Sequence, residues 1–145
     1  MTKGLIDWEE YERWIRRAKH TLKSLKVDIE HGDYCWACFK AQQAAEYALR
    51  ALLRSLGKLA FGRDLRSLGL EAKDICSKLP NDVWKCMLLL DKMYIPTRYP
   101  DVFSSGSPFE HYTEEEAEDA RTCAEKVVSW VESCAERLRE GVKKA

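Results

Sequence analysis

The chain has 145 residues, 33% of them charged and 46% apolar, with 24 Lys plus Arg against 24 Asp plus Glu. That length suits a single domain (1–145) with a real core, and the composition excludes a disordered chain. Zero formal net charge argues against bulk nucleic-acid binding, though not against a local basic pocket, and the longest aliphatic run, Met87–Leu90, is far too short to cross a membrane.

The charged start carries no apolar leader stretch, so a cytoplasmic site of action is expected. The six cysteines, at 35, 38, 76, 86, 123 and 134, then read as small buried hydrophobes, with a disulfide left open.

The first element follows from Trp8, Tyr11, Ile15, Ala18, Leu22, Leu25 and Ile29, whose steps of three and four mark one helical stripe. Gly32 and Asp33 break it, and Asp33 is placed to cap the next helix. A second stripe runs Cys35, Cys38, Phe39, Gln42, Ala45, Leu49, Leu52, Leu53, Leu56 and stops at Gly57. Lys58 to Arg63 reads as a loop. Asp64 caps a shorter helix through Leu65, Leu68, Ala72, Ile75 and Leu79, weakened by Gly69 and ended by Pro80. Asn81 or Asp82 caps another short helix through Val83, Trp84, Met87, Leu88 and Met93. After a loop, 104–108 reads as flexible. Thr113 with Glu116 then forms a capping box, with Tyr112 and Ala117 as a staple, and a stripe runs on from Ala117 to Leu138. No segment alternates with period two. The expected fold is all-α, an antiparallel up-and-down four-helix bundle with an extra short helix. The small residues Ala41, Ala44, Ala45, Ala48 and Ala51 suit either the core or a self-complementary dimer seam.

The most particular stretch is Tyr94-Ile95-Pro96-Thr97-Arg98-Tyr99-Pro100-Asp101. Its prolines fix φ and remove donors, and Thr97 and Tyr99 beside them are expected to be extended. Arg98 is thereby held between tyrosines on a stiff loop, a setting that suits phosphate and base recognition as well as plain packing.

Helix two and this loop together resemble a known family. The string Phe39-Lys40-Ala41-Gln42-Gln43-Ala44-Ala45-Glu46-Tyr47-Ala48-Leu49-Arg50-Ala51-Leu52-Leu53 is similar to a characteristic helix of the HEPN (higher eukaryote and prokaryote nucleotide-binding) domain. Arg98-Tyr99-Pro100-Asp101 and the Thr113-led helix resemble the matching segment of its stand-alone prokaryotic members, and the likeness spans roughly residues 7 to 138. The resemblance implies a four-helical bundle, commonly dimeric, similar to the helical domain of kanamycin nucleotidyltransferase. It also implies a small nucleotidyltransferase as partner, often in a toxin–antitoxin pair, and nucleotide binding (ATP or similar). The chain departs from the family at Gly62-Arg63-Asp64-Leu65, where many members carry a histidine. It departs again in the ribonuclease branch's arginine with a histidine four to six residues on, since Arg98 precedes His111 by thirteen positions. Metal-independent RNA cleavage needs a group titrating near neutrality, so catalysis is not expected.

Gln43, Glu46 and Arg50 share a helix face. They read as a surface ion pair worth about 0.3–0.5 kcal/mol, or as a polar patch meeting Arg98 and Tyr99 to receive a phosphate or ribose. Gln42 falls in the apolar stripe and needs partners from the loop backbone or a dimer mate. His31, Cys35 and Cys38 have zinc-ligand spacing but no fourth ligand, so no metal is expected. Trp14 and Trp36 lie beside their stripes and are candidates for a partner surface. The acidic run 114–119 suits a helix start. No phosphate-binding glycine loop and no nucleophile elbow is present.

The expected role is a non-catalytic, nucleotide-binding or substrate-binding subunit, homodimeric, working with a nucleotidyltransferase and needing no cofactor. Its candidate site residues are Arg98, Tyr99, Asp101, Gln43, Glu46 and Arg50. The alternatives are a ribonuclease toxin built around Arg98 and His111, or a dimeric assembly module without a small ligand.

Overall fold

The computed structural model describes residues 5–60, 62 and 64–144, the last three of these by backbone alone. Five helices succeed one another in chain order: α1 Trp8–Glu30, α2 Tyr34–Ser55, α3 Leu65–Cys76, α4 Asn81–Asp91 and α5 Glu114–Lys144. Two short 3₁₀ helices, Pro100–Val102 and Pro108–His111, lie between α4 and α5. No strand occurs among the described residues. The all-helical expectation holds.

Most of these helices start where a side chain can accept orphan backbone donors. Asp7 accepts from Glu10 N at 3.0 Å, and Asp64 from Ser67 N at 2.9 Å. Thr113 and Glu116 make the expected reciprocal box, each with a bond of 3.1 Å to the other's backbone N–H. Asp33 stands at the cap position of α2 without a side-chain capping bond. Pro80, expected to end α3, instead precedes the first residue of α4, where its missing N–H costs nothing. The α3 helix stops earlier, at Cys76, with Ser77 in the left-handed region at φ 61°. Neither Asn81 nor Asp82 is therefore the cap; both are already helical.

Helices α1, α2, α4 and α5 form the up-and-down bundle, and α3 is the extra short one. Asp7 N bonds Ser55 O at 2.8 Å, and Trp14 meets Tyr47 at 6.1 Å, so α1 and α2 run antiparallel. Contacts of Glu12 with Arg139 and Lys19 with Glu132 set α5 antiparallel to α1. In the same way Asp82 with Lys126 and Cys86 with Cys123 set α4 antiparallel to α5. The alanines at 41, 44, 45, 48 and 51 are all fully buried, as are Ala117, Ala120 and Ala124. They belong to the core of one chain and not to a dimer seam. Gly69 also has a packing role, because a side chain there would collide with the sulfur of buried Met87 on α4.

Four of the six cysteines are paired, Cys76 with Cys134 and Cys86 with Cys123, so both bridges tie the α3–α4 hairpin to α5. Cys35 and Cys38 are free and buried. Burial first, then neighbouring negative charge, pushes their thiols up to about 11 and about 12. Phe61 and Arg63 of the expected loop lie outside the described residues.

The connection after α4 is more ordered than expected. Residues 95–98 curl into a turn, with Arg98 N and Tyr99 N both donating to Ile95 O. Thr97 is accordingly not extended, while Tyr99 is, at φ −117° and ψ 117°. The 104–108 stretch is held by a Ser107–Glu110 capping box, and His111 stacks on Phe103 at 3.9 Å.

Unreduced native protein at pH 8 should react negligibly with a thiol reagent, because the two free thiols are buried and protonated. Unfolding without reductant should release two reactive thiols, and prior reduction all six. A count of six without reductant would contradict the pairing. The Cys76→Ala/Cys134→Ala variant should lose about 2–4 kcal/mol in denaturant unfolding.

Candidate functional site

Arg98 sits on an aromatic bed. Its guanidinium carbon lies 4.3 Å from the ring centroid of Tyr94 and 5.0 Å from those of Tyr99 and Phe39. Nε donates to Tyr94 O at 3.0 Å. The two terminal nitrogens make no hydrogen bond among the described residues, so they remain donors for something else. Stacking of this kind fixes the plane of the cation without neutralising it, worth about 0.5–2 kcal/mol per good contact.

The bed is anchored on α2. Thr97, buried, donates through Oγ1 to Met93 O at 2.6 Å, and the Cys35 thiol donates to Thr97 O at 3.0 Å. The Phe39 and Tyr94 rings lie 6.2 Å apart. Tyr94 also lines a cleft of about 560 Å³ with Gln42, Asp64, Asp91, Lys92, Ile95 and Pro96. Its walls are mostly apolar, and the charged groups on them among the described residues are Asp64, Asp91 and Lys92. Asp91 reaches from the end of α4 to accept Leu65 N at 2.6 Å and Arg66 N at 3.1 Å. It thus caps α3 from outside while burial raises its carboxyl above the usual range. The Ser67 hydroxyl holds Asp64 below that range.

The other expected site residues form a separate, connected chain. Gln43 Nε2 donates to Gln42 Oε1 at 2.6 Å, and Gln42 Nε2 to Glu46 Oε1 at 3.4 Å. Gln42 is fully buried, and its partners are these α2 neighbours, not the loop backbone or another subunit. Arg50 donates through Nε to Glu46 Oε2 at 3.0 Å, through Nη1 to Ala60 O at 2.8 Å and through Nη2 to Gly62 O at 3.0 Å. The side chains of Arg50 and Glu46 are only 11% and 10% exposed. The expected surface pair is therefore a buried one that braces the α2–α3 connection. Gln43 opens onto a cleft of about 240 Å³ between α1 and α2, with Arg17, His20, Phe39 and Tyr47. Glu46 and Arg50 line another of about 400 Å³ with Trp14, Tyr47, Arg54 and Leu59.

The structure thus brings Arg98 and Tyr99 together, and Gln43, Glu46 and Arg50 together, with Phe39 beside both groups. Asp101 is exposed on the first 3₁₀ helix. Sequence reasoning passed over Phe39, Tyr94, Asp91 and Lys92 as site residues. Tyr94 was legible four positions before Arg98, whereas Phe39 meets Arg98 only through folding. His111, the candidate partner of Arg98 in a ribonuclease arrangement, donates Nε2–H to Ser105 O at 2.7 Å and braces its own loop. The His31 ring bonds Val27 O at 3.0 Å.

A family model described as HEPN domain matches residues 11–134. The chain belongs to the HEPN family. Among solved structures it resembles TT1696 from Thermus thermophilus at 40% identity and a TM-score of 0.80, over 86% of this chain and 97% of that one. It also resembles ST0689, described as an archaeal HEPN homologue, at 36% identity and a TM-score of 0.71, over 85% and 95% of the two chains. A curated relative, "Putative toxin MJ1304" of Methanocaldococcus jannaschii, is 30% identical over 79% of this chain and 81% of that protein. Both solved structures share most of their fold with this chain.

In this HEPN chain Arg50→Ala removes three hydrogen bonds and leaves Glu46 buried without its counter-charge. The expected loss is about 3–5 kcal/mol in urea unfolding. A loss under about 1 kcal/mol would mean the pair is solvent-screened and the connection braced by other contacts.

Proposed function

We propose that this HEPN protein is a non-catalytic nucleotide-binding subunit acting in the cytoplasm as a homodimer with a small nucleotidyltransferase, in a toxin–antitoxin pair. The observation that carries the reading is Arg98, set over three rings with two guanidinium nitrogens that make no hydrogen bond among the described residues, while one of those rings, Tyr94, lines the cleft of about 560 Å³. A nucleoside suits the mostly apolar cleft that Tyr94 lines, and a phosphate suits the fixed cation. Tyr99, half exposed at 50%, offers a ring face for stacking. Gln43, Glu46 and Arg50 shape the adjoining α2 face, and Asp101 lies at the loop's outer edge. The relative's description as a putative toxin supports the toxin–antitoxin setting. The sequence has no phosphate-binding glycine loop, and the reading leaves chemistry on the nucleotide to the partner. A cytoplasmic location with two disulfides is the pattern known from hyperthermophile proteins.

Calorimetric titration with ATP and GTP, with and without magnesium, tests the reading. Binding at micromolar to low-millimolar strength is expected. Arg98→Ala should weaken it about tenfold or more, since a charge-assisted contact contributes about 1.5–3 kcal/mol. Affinity unchanged within about twofold in a folded Arg98→Ala variant would remove Arg98 from the site.

A further inference from the structure

Net neutrality hides a strong separation of charge. Between Glu12 and Asp28, α1 carries Arg13, Arg16, Arg17, Lys19, Lys23 and Lys26 with His20, and no carboxylate. All seven side chains are exposed. Among the described residues, Arg16, Lys23 and Lys26 form no ion pair; Arg13 and Lys19 pair with Glu10 and Glu132. The opposite sign gathers at the start of α5 in Glu114, Glu115, Glu118 and Asp119, all exposed. Of these only Glu118 has an ion-pair partner among the described residues, Arg121 at 3.8 Å.

The antiparallel register of α1 and α5, set by Glu12–Arg139 and Lys19–Glu132, places the acidic start of α5 at the carboxyl end of α1. Each copy therefore has a basic ridge about 20 Å long, at about 1.5 Å per residue, with an acidic cap beyond one end. An exposed apolar residue accompanies each patch. Val27, 49% exposed, continues the line Arg16, His20, Lys23, and Phe109, 68% exposed, precedes the acidic turn.

We propose that the ridge is covered by the acidic cap of a second copy of this chain. Two copies related by a two-fold axis place each ridge on the other's cap, so both contacts form at once and the assembly closes as a pair. A nucleic-acid strand suits the ridge less well, because the chain has no net attraction for it and a strand continuing along α1 would meet the cap. The buried alanine faces leave the dimer seam to some other surface, and this is the one with charge complementarity. The inference rests on the dimeric part of the proposed function and assigns its interface.

The test is light scattering on the full-length protein with two charge-reversal variants, Arg16→Glu/Lys23→Glu on the ridge and Glu115→Lys/Asp119→Lys on the cap. Both lie on exposed positions, and circular dichroism checks that each remains folded. Wild type should be dimeric at about 50 mM NaCl, with a dissociation constant at least about tenfold higher at about 1 M. Each variant alone should be monomeric, and their equimolar mixture should recover the dimer, because each reversed patch then faces an opposite one. Variants that stay dimeric, or a mixture that stays monomeric, would overturn the charged seam while leaving the dimer standing. A wild type monomeric at every salt concentration would remove the dimer itself. Binding of an oligothymidylate strand that the ridge variant loses, with oligomeric state unchanged, would assign the ridge to nucleic acid instead.

Discussion

Everything in this bundle depends on how closely other elements can approach α2. A helix that is buried on nearly every side must be small on several of them, and the alanines of α2 meet that condition at 41, 44, 45, 48 and 51. Larger side chains there would push α1 and α5 outward and open the core. Because α2 is enclosed, its polar residues cannot turn to water. Gln42, Glu46 and Arg50 must find partners within the protein, and the chain of bonds from Gln43 to the Ala60 and Gly62 carbonyls is the result.

Arg50 and Arg98 show how environment separates two uses of one side chain. Arg50 has a carboxylate and two carbonyls around it, so its donor capacity is committed to holding the α2–α3 connection in place. Arg98 has aromatic faces and one carbonyl, which orient it but leave its outer nitrogens without acceptors among the described residues. A cation oriented but not neutralised is suited to recognition; a cation fully bonded is structural. The same contrast divides the cysteines. Four link α5 to the α3–α4 hairpin, while Cys35 and Cys38 remain buried thiols on α2, Cys35 holding the Arg98 loop through Thr97.

The hairpin of α3 and α4 is the part least supported by its own length. Its helices span 12 and 11 residues, and short helices draw most of their stability from packing. It is correspondingly the most cross-braced part. Two disulfides, Asp91 capping α3 and the Trp130 indole bonded to Lys78 O at 2.9 Å all fasten it. That bracing fixes the end of α4, and so the starting point of the loop that presents Arg98.

Periodicity, caps and breakers determined the helices themselves, because an amphipathic stripe and a Thr-x-x-Glu start are local facts that survive any tertiary arrangement. The helix-two string and the Arg98 loop also carried the family. Beyond the sequence lay every property created by packing between distant elements. Asp33 has capping chemistry but makes no capping bond, and Gly69 is a helix weakener locally yet a close-approach point against Met87. Glu46 and Arg50 have surface spacing on an isolated helix and become buried when the rest of the bundle closes over them. The disulfide partners could not be read from spacing, since Cys76 and Cys134 are 58 residues apart and meet only because α5 returns past α3. Phe39 joins Arg98 for the same reason. Local sequence decides which residues are helical; only the tertiary structure decides which helix faces remain in contact with water.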